Sequence, residues 1–179
     1  LERLLCNADI LVQNLKAGAM EKLGFGVNAV LERHPQLIYC SISGYGRDGQ
    51  PYAALDTVIQ AESGLMSHVG SASSTCKVGF SVADLIAGHL APLGILAALR
   101  ARDRDGLGQH VDVSMLDAMR WLIYMGRAGA VTVPPAVVRT GGGTWALAPN
   151  SASKAHPRTI RIRELGEVFQ DPSLRTRDM

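Results

Sequence analysis

Cysteine is scarce in this 179-residue chain, and the three that occur, Cys6, Cys40 and Cys76, share no short spacing. An odd, sparse set argues against a disulfide framework and against a paired-cysteine zinc or redox site, and it fits a reducing cytoplasm. Charge of one sign is equally lacking: 18 Lys and Arg stand against 16 Asp and Glu, a formal net charge of +2. That balance gives no electrostatic reason to expect nucleic acid or an acidic membrane as partner. The 19 glycines and 8 prolines follow no period, so collagen-like and mucin-like readings fail. No two of His34, His68, His89, His110 and His156 fall at metal-ligand spacing, and no metal is expected. No serine sits in a G-x-S-x-G elbow, which leaves a hydrolase nucleophile unsupported.

A membrane-length apolar run is also missing. Leu85 to Leu99 is interrupted by His89 and Pro92 and preceded by Asp84, short of the ~20 apolar residues that a span requires. It is expected to be a buried core helix. The chain opens on Leu1-Glu2-Arg3-Leu4-Leu5, without initiator Met or leader pattern, and reads as the middle of a helix. A fragment of a longer protein is the expectation.

What is present, 47% hydrophobic and 19% charged residues, is the composition of a folded soluble domain. Asp9 to Asn14 and Leu37 to Ile42 are short apolar runs without alternation, as in parallel strands covered on both faces. Helical segments at 17–23 and 28–34 lie between them, with Asn28 as a candidate N-cap and Pro35 past the end. Strand, helical crossover and strand within about 35 residues make a βαβ unit, hence an α/β fold with a parallel sheet and flanking helices. Further along come a loop over 43–52, a helix over 56–66 with Asp56 as its N-cap, and a mobile loop over 67–79. A long helix over 84–102, a strand over 110–114 and a helix over 115–126 follow. The pattern then deteriorates, so residues 1–126 form the α/β part, 127–163 an irregular junction and 164–179 a short separate segment. The basic stretch 154–163 reads as a solvated surface.

Two features invite a chemical reading. Gly24-Phe25-Gly26-Val27-Asn28-Ala29 matches G-x-G-x-x-A, but dinucleotide binding needs those glycines between a strand and a helix. Here a helix precedes them, so a helix end at Gly24 followed by a turn is expected. Asp84 is a carboxylate where an apolar helix begins, and an unpaired charge in apolar surroundings is costly. It is either an N-cap or a catalytic group.

Four segments in order resemble the class III CoA-transferases (CaiB/BaiF type). Ala8-Asp9-Ile10-Leu11-Val12-Gln13-Asn14-Leu15-Lys16-Ala17-Gly18 is similar to the family's ADVVVENFRPG. Pro35 to Gly46 holds the Ser43-Gly44-Tyr45-Gly46 turn, and the third segment runs from Asp56 through Gln60 and Ser63-Gly64 to Ala83-Asp84 and Gly88. The fourth runs from Gly106 through Gly108-Gln109 to Val111-Asp112-Val113-Ser114 and Ala118. The resemblance implies a Rossmann-like large domain, acyl-CoA and carboxylic acids as substrates, no permanently bound cofactor, and an interlocked homodimer. It implies Asp84 as the nucleophile that forms an aspartyl anhydride and then an aspartyl-CoA thioester, in a site that excludes water. It implies CoA contacts from Asn14, Leu15 and Lys22; for Lys22 an ordinary solvated lysine is the alternative. Gln60 belongs either to the site or to the core.

The chain departs from the family in several places. Leu55 stands where related 2-methylacyl-CoA racemases place a His, so two-base proton transfer is disfavoured, and the segment before Asp56 is about two residues short. Arg139, Gly141, Ala148 and Pro149 fit a later pattern whose Asn, His and Tyr are replaced by Gly142, Thr144 and Asn150. Residues 165–179 resemble a segment found much further along in the family. A racemase-like enzyme and a non-catalytic remnant are therefore the rival readings.

Overall fold

The computed structural model describes residues 1–52, 54–69, 74–128, 137–139, 145–147, 160–161, 167 and 170. The chain divides into two compact units, Leu1–Gly126 and Arg127–Met179.

The first unit begins with a short helix α1 (Glu2–Leu5), strand β1 (Ile10–Gln13), and helices α2 (Ala19–Lys22) and α3 (Val27–Arg33). Strand β2 (Ile38–Ser43) leads to α4 (Asp56–Glu62), α5 (Leu65–Val69) and the long α6 (Val82–Asp105). Strand β3 (His110–Ser114) and helix α7 (Met115–Ala128), whose last two residues fall in the second unit, follow. The strands form one parallel sheet in the order β1-β2-β3, with Ile10 opposite Ile38 and Cys40 opposite Val111. This is the α/β fold with a parallel sheet that the apolar runs predict.

Because side chains alternate along a strand, that register sorts the sheet into two faces. Cys40 and Val113 point to the face covered by α6, in a cluster with Ala83, Ala87, Ala91, Ile59 and Met119. Leu37 and Tyr39 pack on the other face against Val27, Val30, Met20 and Leu5. Tyr39 is fully buried and its hydroxyl donates to the Phe25 carbonyl at 2.9 Å. Burial, reinforced by the Glu21 carboxylate, pushes its pKa up to about 12.

Helix α6 meets the sheet through small residues. Ala83, Ala87, Ala91 and Ala98 are buried, and Gly94 lies on the same stripe, where an added Cβ would come within 2.7 Å of Val111 Cγ1. Small residues at i, i+4 and i+3 steps let helix and strand backbones approach closely. The opposite stripe holds Leu85, Leu93 and Leu96, each more than half exposed. The expectation of a buried core helix is thus corrected: alanine faces inward and leucine outward. By length and composition α6 is apolar enough to cross a membrane, yet its alanine face packs on the sheet and its first turn carries a carboxylate.

Other details also differ from expectation. Helix α3 starts before Asn28, with Gly26 as its cap residue. Gly24, at φ +78, follows the end of α2, a helix-terminating glycine rather than a phosphate loop. The helix expected over 56–66 is broken at Gly64, whose φ of +86 admits few side chains. In the expected loop, α5 extends to Val69, and Cys76 and Val78 are tied back to Met66 and Gln60. Asp56 does not cap its own helix, because Leu55 occupies that position.

In the second unit β4 (Val137–Arg139), β5 (Trp145–Leu147) and β6 (Ile160–Arg161) form an antiparallel sheet. The expectations for Gly141, Gly142, Thr144 and 148–159 lie outside the described residues, as do nearly all of those for 164–179.

Candidate functional site

Ligands of open α/β sheets bind beyond the carboxyl ends of the strands, and a cavity of about 480 Å³ opens there. Its wall is built from the loop after β1 (Asn14 to Ala17), the end of β2 with its glycine turn (Ile42 to Gly46), and residues around Leu55 and Asp56. Asp84 and Gly88 of α6 and Met115 at the start of α7 close the remaining side. Asn14, Leu15 and Asp84, distant in sequence, therefore border one cavity.

Each is placed by local structure. Asn14 Nδ2 donates to the Ile42 carbonyl at 2.7 Å, fastening the β1 loop to the end of β2. The Leu15 N–H donates to Gln13 Oε1 at 2.8 Å, and its side chain is about half exposed. The turn after β2 folds tightly: Gly46, at φ +77, donates its N–H to Ser43 Oγ at 2.9 Å. At Gly44 an added Cβ would strike the Ala54 side chain, so only glycine fits that wall.

Asp84 is the third residue of α6. It is not an N-cap: Ser81 holds the cap position, with no side-chain cap bond. Among the described residues the Asp84 carboxylate has no hydrogen-bond or ion-pair partner, and it is exposed rather than enclosed in apolar surroundings as expected. Partial burial first, and the nearby Asp56 carboxylate second, push its pKa above the ordinary carboxylate range. The positive end of the helix dipole favours an anion at this position, so the carboxylate is poised between both influences. At Gly88, one turn on, an added Cβ would meet nothing within 4 Å, leaving space beside Asp84.

Lys22 and Gln60 do not line the cavity. Lys22 is exposed in the last turn of α2. Gln60 is fully buried: its Nε2 donates to Asp56 Oδ2 at 2.8 Å and to the Phe80 carbonyl at 3.1 Å, and its Oε1 accepts from the Val78 N–H at 3.0 Å. Of the two readings open for Gln60, it takes the core one. Sequence reasoning missed Lys16, which does line the cavity; its position directly after Asn14-Leu15 was the available signal. It also missed the role of Asp56, 6% exposed, whose Oδ1 accepts the Ala83 N–H at 2.9 Å from a different helix. Among the described residues no group of three His, Cys, Asp or Glu side chains is placed to hold a metal ion.

The cavity thus offers a carboxylate without a partner among the described residues, a glycine turn and a loop bearing an amide and a cation. That set suits nucleophilic attack on an acyl group. Comparison with known proteins agrees in kind. The family model described as CoA-transferase family III matches residues 1–163. An acetyl-CoA:oxalate CoA-transferase from Acetobacter aceti is 43% identical over 114 residues, covering 62% of this chain and 29% of that protein. An alpha-methylacyl-CoA racemase from Mus musculus is 36% identical over 126 residues, covering 68% of this chain and 33% of that protein. The crystal structure of a CAIB/BAIF family protein from Brucella suis superposes with a TM-score of 0.69 at 29% identity, over 81% of this chain and 43% of that one. The chain spans less than half the length of each of these relatives.

Proposed function

The chain belongs to CoA-transferase family III, and on that premise we propose that it carries the acyl-CoA site of an enzyme moving coenzyme A between carboxylic acids, with Asp84 as nucleophile. The observation that carries this reading is the convergence of Asp84, Asn14 and Leu15 on one cavity at the strand ends.

In the proposed reaction an Asp84 oxygen attacks the thioester carbonyl of the donor acyl-CoA. The carbon–sulfur bond breaks, leaving an aspartyl–acyl anhydride and the CoA thiolate. The thiolate attacks the aspartyl carbonyl, forming an aspartyl-CoA thioester and releasing the donor carboxylate. The acceptor carboxylate then expels the thiolate to form a second anhydride. Attack of the thiolate on its acyl carbon releases the new acyl-CoA and restores Asp84. Each step exchanges one activated acyl bond for another, which is why a covalent route suits this reaction. The N–H groups of Gly44 and Tyr45, in the same turn, are proposed to stabilise the oxyanions.

Asn14, Leu15 and Lys16 are proposed to hold the thiol-bearing part of CoA. Lys22, exposed and outside the cavity, is proposed to meet the phosphates of so extended a substrate. An anhydride must be shielded from water, whereas Asp84 is exposed in this chain. A soluble, cytoplasmic homodimer, with further length of the kind the relatives possess, would supply the cover.

The racemase relative favours a second reading, proton exchange at the acyl α-carbon. Leu55, not a histidine, borders the cavity beside Asp56, and an aliphatic side chain cannot serve as the second base. Transfer is therefore preferred. Incubation with an acyl-CoA and hydroxylamine tests it: an aspartyl hydroxamate at Asp84 is expected, and deuterium wash-in at the α-carbon without that adduct would favour the racemase. Neither product would mean a non-catalytic remnant.

A further inference from the structure

We propose that Asp56 is a positioning residue for Asp84: its carboxylate, oriented by Gln60, clamps the first turn of α6 and fixes where the Asp84 carboxylate stands in the cavity. This rests on the reading of Asp84 as nucleophile.

The first N–H groups of a helix have no partner within it and need an acceptor from elsewhere. Ser81, at the cap position of α6, supplies none from its side chain. Asp56 does so from α4, with Oδ1 accepting the Ala83 N–H at 2.9 Å. Asp84 is the next residue, and its side chain has no partner among the described residues to hold it.

Asp56 is itself held in one orientation. It is only 6% exposed, and a buried carboxylate persists only with donors around it. Gln60 Nε2 supplies one at 2.8 Å, and Lys77 Nζ stands 4.0 Å from Oδ2. The Gln60 amide cannot turn over, because its Oε1 accepts the Val78 N–H while its Nε2 also donates to the Phe80 carbonyl. Residues 78–80 run directly into Ser81 and α6. One buried pair thus ties down both the segment entering α6 and the helix's own first turn. A displacement of that turn carries Asp84 with it, and placement errors near 1 Å at a reacting group cost about a hundredfold in rate.

The same carboxylate acts on Asp84 through charge. Asp56 adds to burial in pushing the Asp84 pKa up. The other ionisable groups on the cavity wall are Lys16 from the β1 loop and Tyr45 and Tyr52 from the segment after β2. His89, on the next turn of α6, is exposed and engages the Leu85 carbonyl at 2.7 Å.

The test compares the full chain with its Asp56→Asn and Asp56→Ala variants in three measurements: hydrogen exchange of the Ala83 amide, pH titration of the Asp84 carboxyl carbon by NMR, and the rate of hydroxamate formation with acyl-CoA and hydroxylamine. In Asp56→Ala the Ala83 amide should exchange about tenfold faster, the size of a lost helix cap. In both variants Asp84 should titrate at lower pH than in the parent, because a like charge is gone. Hydroxamate formation should slow about tenfold to a hundredfold in Asp56→Ala, with the Kd for CoA unchanged. Should Asp56→Ala fail to fold, Asp56→Asn decides through the titration. Unchanged Asp84 titration, or unchanged Ala83 exchange in a folded Asp56→Ala, overturns the proposal. Absence of hydroxamate in the parent chain would sink the nucleophile reading, while exchange and titration would still decide whether Asp56 holds Asp84.

Discussion

Replacing Gln60 by leucine tests whether this side chain is a structural tie. Gln60 is wholly buried and satisfies three groups at 3.1 Å or closer: Asp56 Oδ2, the Phe80 carbonyl and the Val78 N–H. Leucine is of similar size, so Gln60→Leu opens little cavity but leaves all three without their partner. A buried polar group stripped of its bond costs about 1–3 kcal/mol. Phe80 lies at the surface, where water replaces the lost donor, so the loss falls on Asp56 and Val78. Set against about 1–2 kcal/mol gained by burying an aliphatic side chain, the net loss should be about 2 kcal/mol. Urea denaturation should show a lower midpoint with an unchanged slope. The Gln60→Glu variant adds a sign. Its new carboxyl, buried beside Asp56, has a folded pKa raised above its unfolded value. Its stability is therefore greatest below the unfolded glutamate range and is lost as pH rises through the folded value. A Gln60→Leu stability within about 0.5 kcal/mol of the parent, the range of ordinary surface changes, would refute the reasoning.

Other consequences follow from the same geometry. Asn14→Ala removes the amide that fastens the β1 loop to Ile42; affinity for CoA, read by calorimetry, should fall about tenfold, the worth of one good hydrogen bond. Lys16→Ala should weaken CoA binding and flatten its dependence on salt, because an exposed cation acts through screened attraction. Tyr39 ionises only near pH 12 in the folded chain. Its raised folded pKa means that this contribution to stability is complete below pH ~10 and is lost between there and about 12. Urea midpoints across that range check the sign, and Tyr39→Phe should abolish that part of the decline.

Much of the first unit was legible because local signals were strong. The unalternating runs around Leu11 and Tyr39 predicted parallel strands covered on both faces; the strands pair so, but only β2 is buried, and in β1 Val12 is 52% exposed. The helix before Gly24 argued against a phosphate loop, and Gly24 ends a helix. Helix α6 was readable as a helix but not in its orientation. Alanine on one face and leucine on the other leave no apolar-to-polar contrast, and size rather than hydrophobicity decides which side meets the sheet. Asp56 was misread as a local cap because its true partner, the Ala83 N–H, lies on another helix. Spacing along one chain does not carry such a contact. Lys22 and Gln60 were chosen by motif position, which says nothing about direction; one faces solvent and the other the core.

The central claim is that the Asp84 carboxylate is the acyl acceptor. Its most direct test is mass spectrometry of the chain after incubation with an acyl-CoA and hydroxylamine, with Asp84→Asn as the control. The Asp84 side chain is exposed and has no partner among the described residues, so the variant should keep the parent's stability within about 0.5 kcal/mol. A hydroxamate on the peptide containing Asp84, absent from the variant, is the predicted result. An adduct on another residue, or equal turnover in Asp84→Asn, would contradict the account.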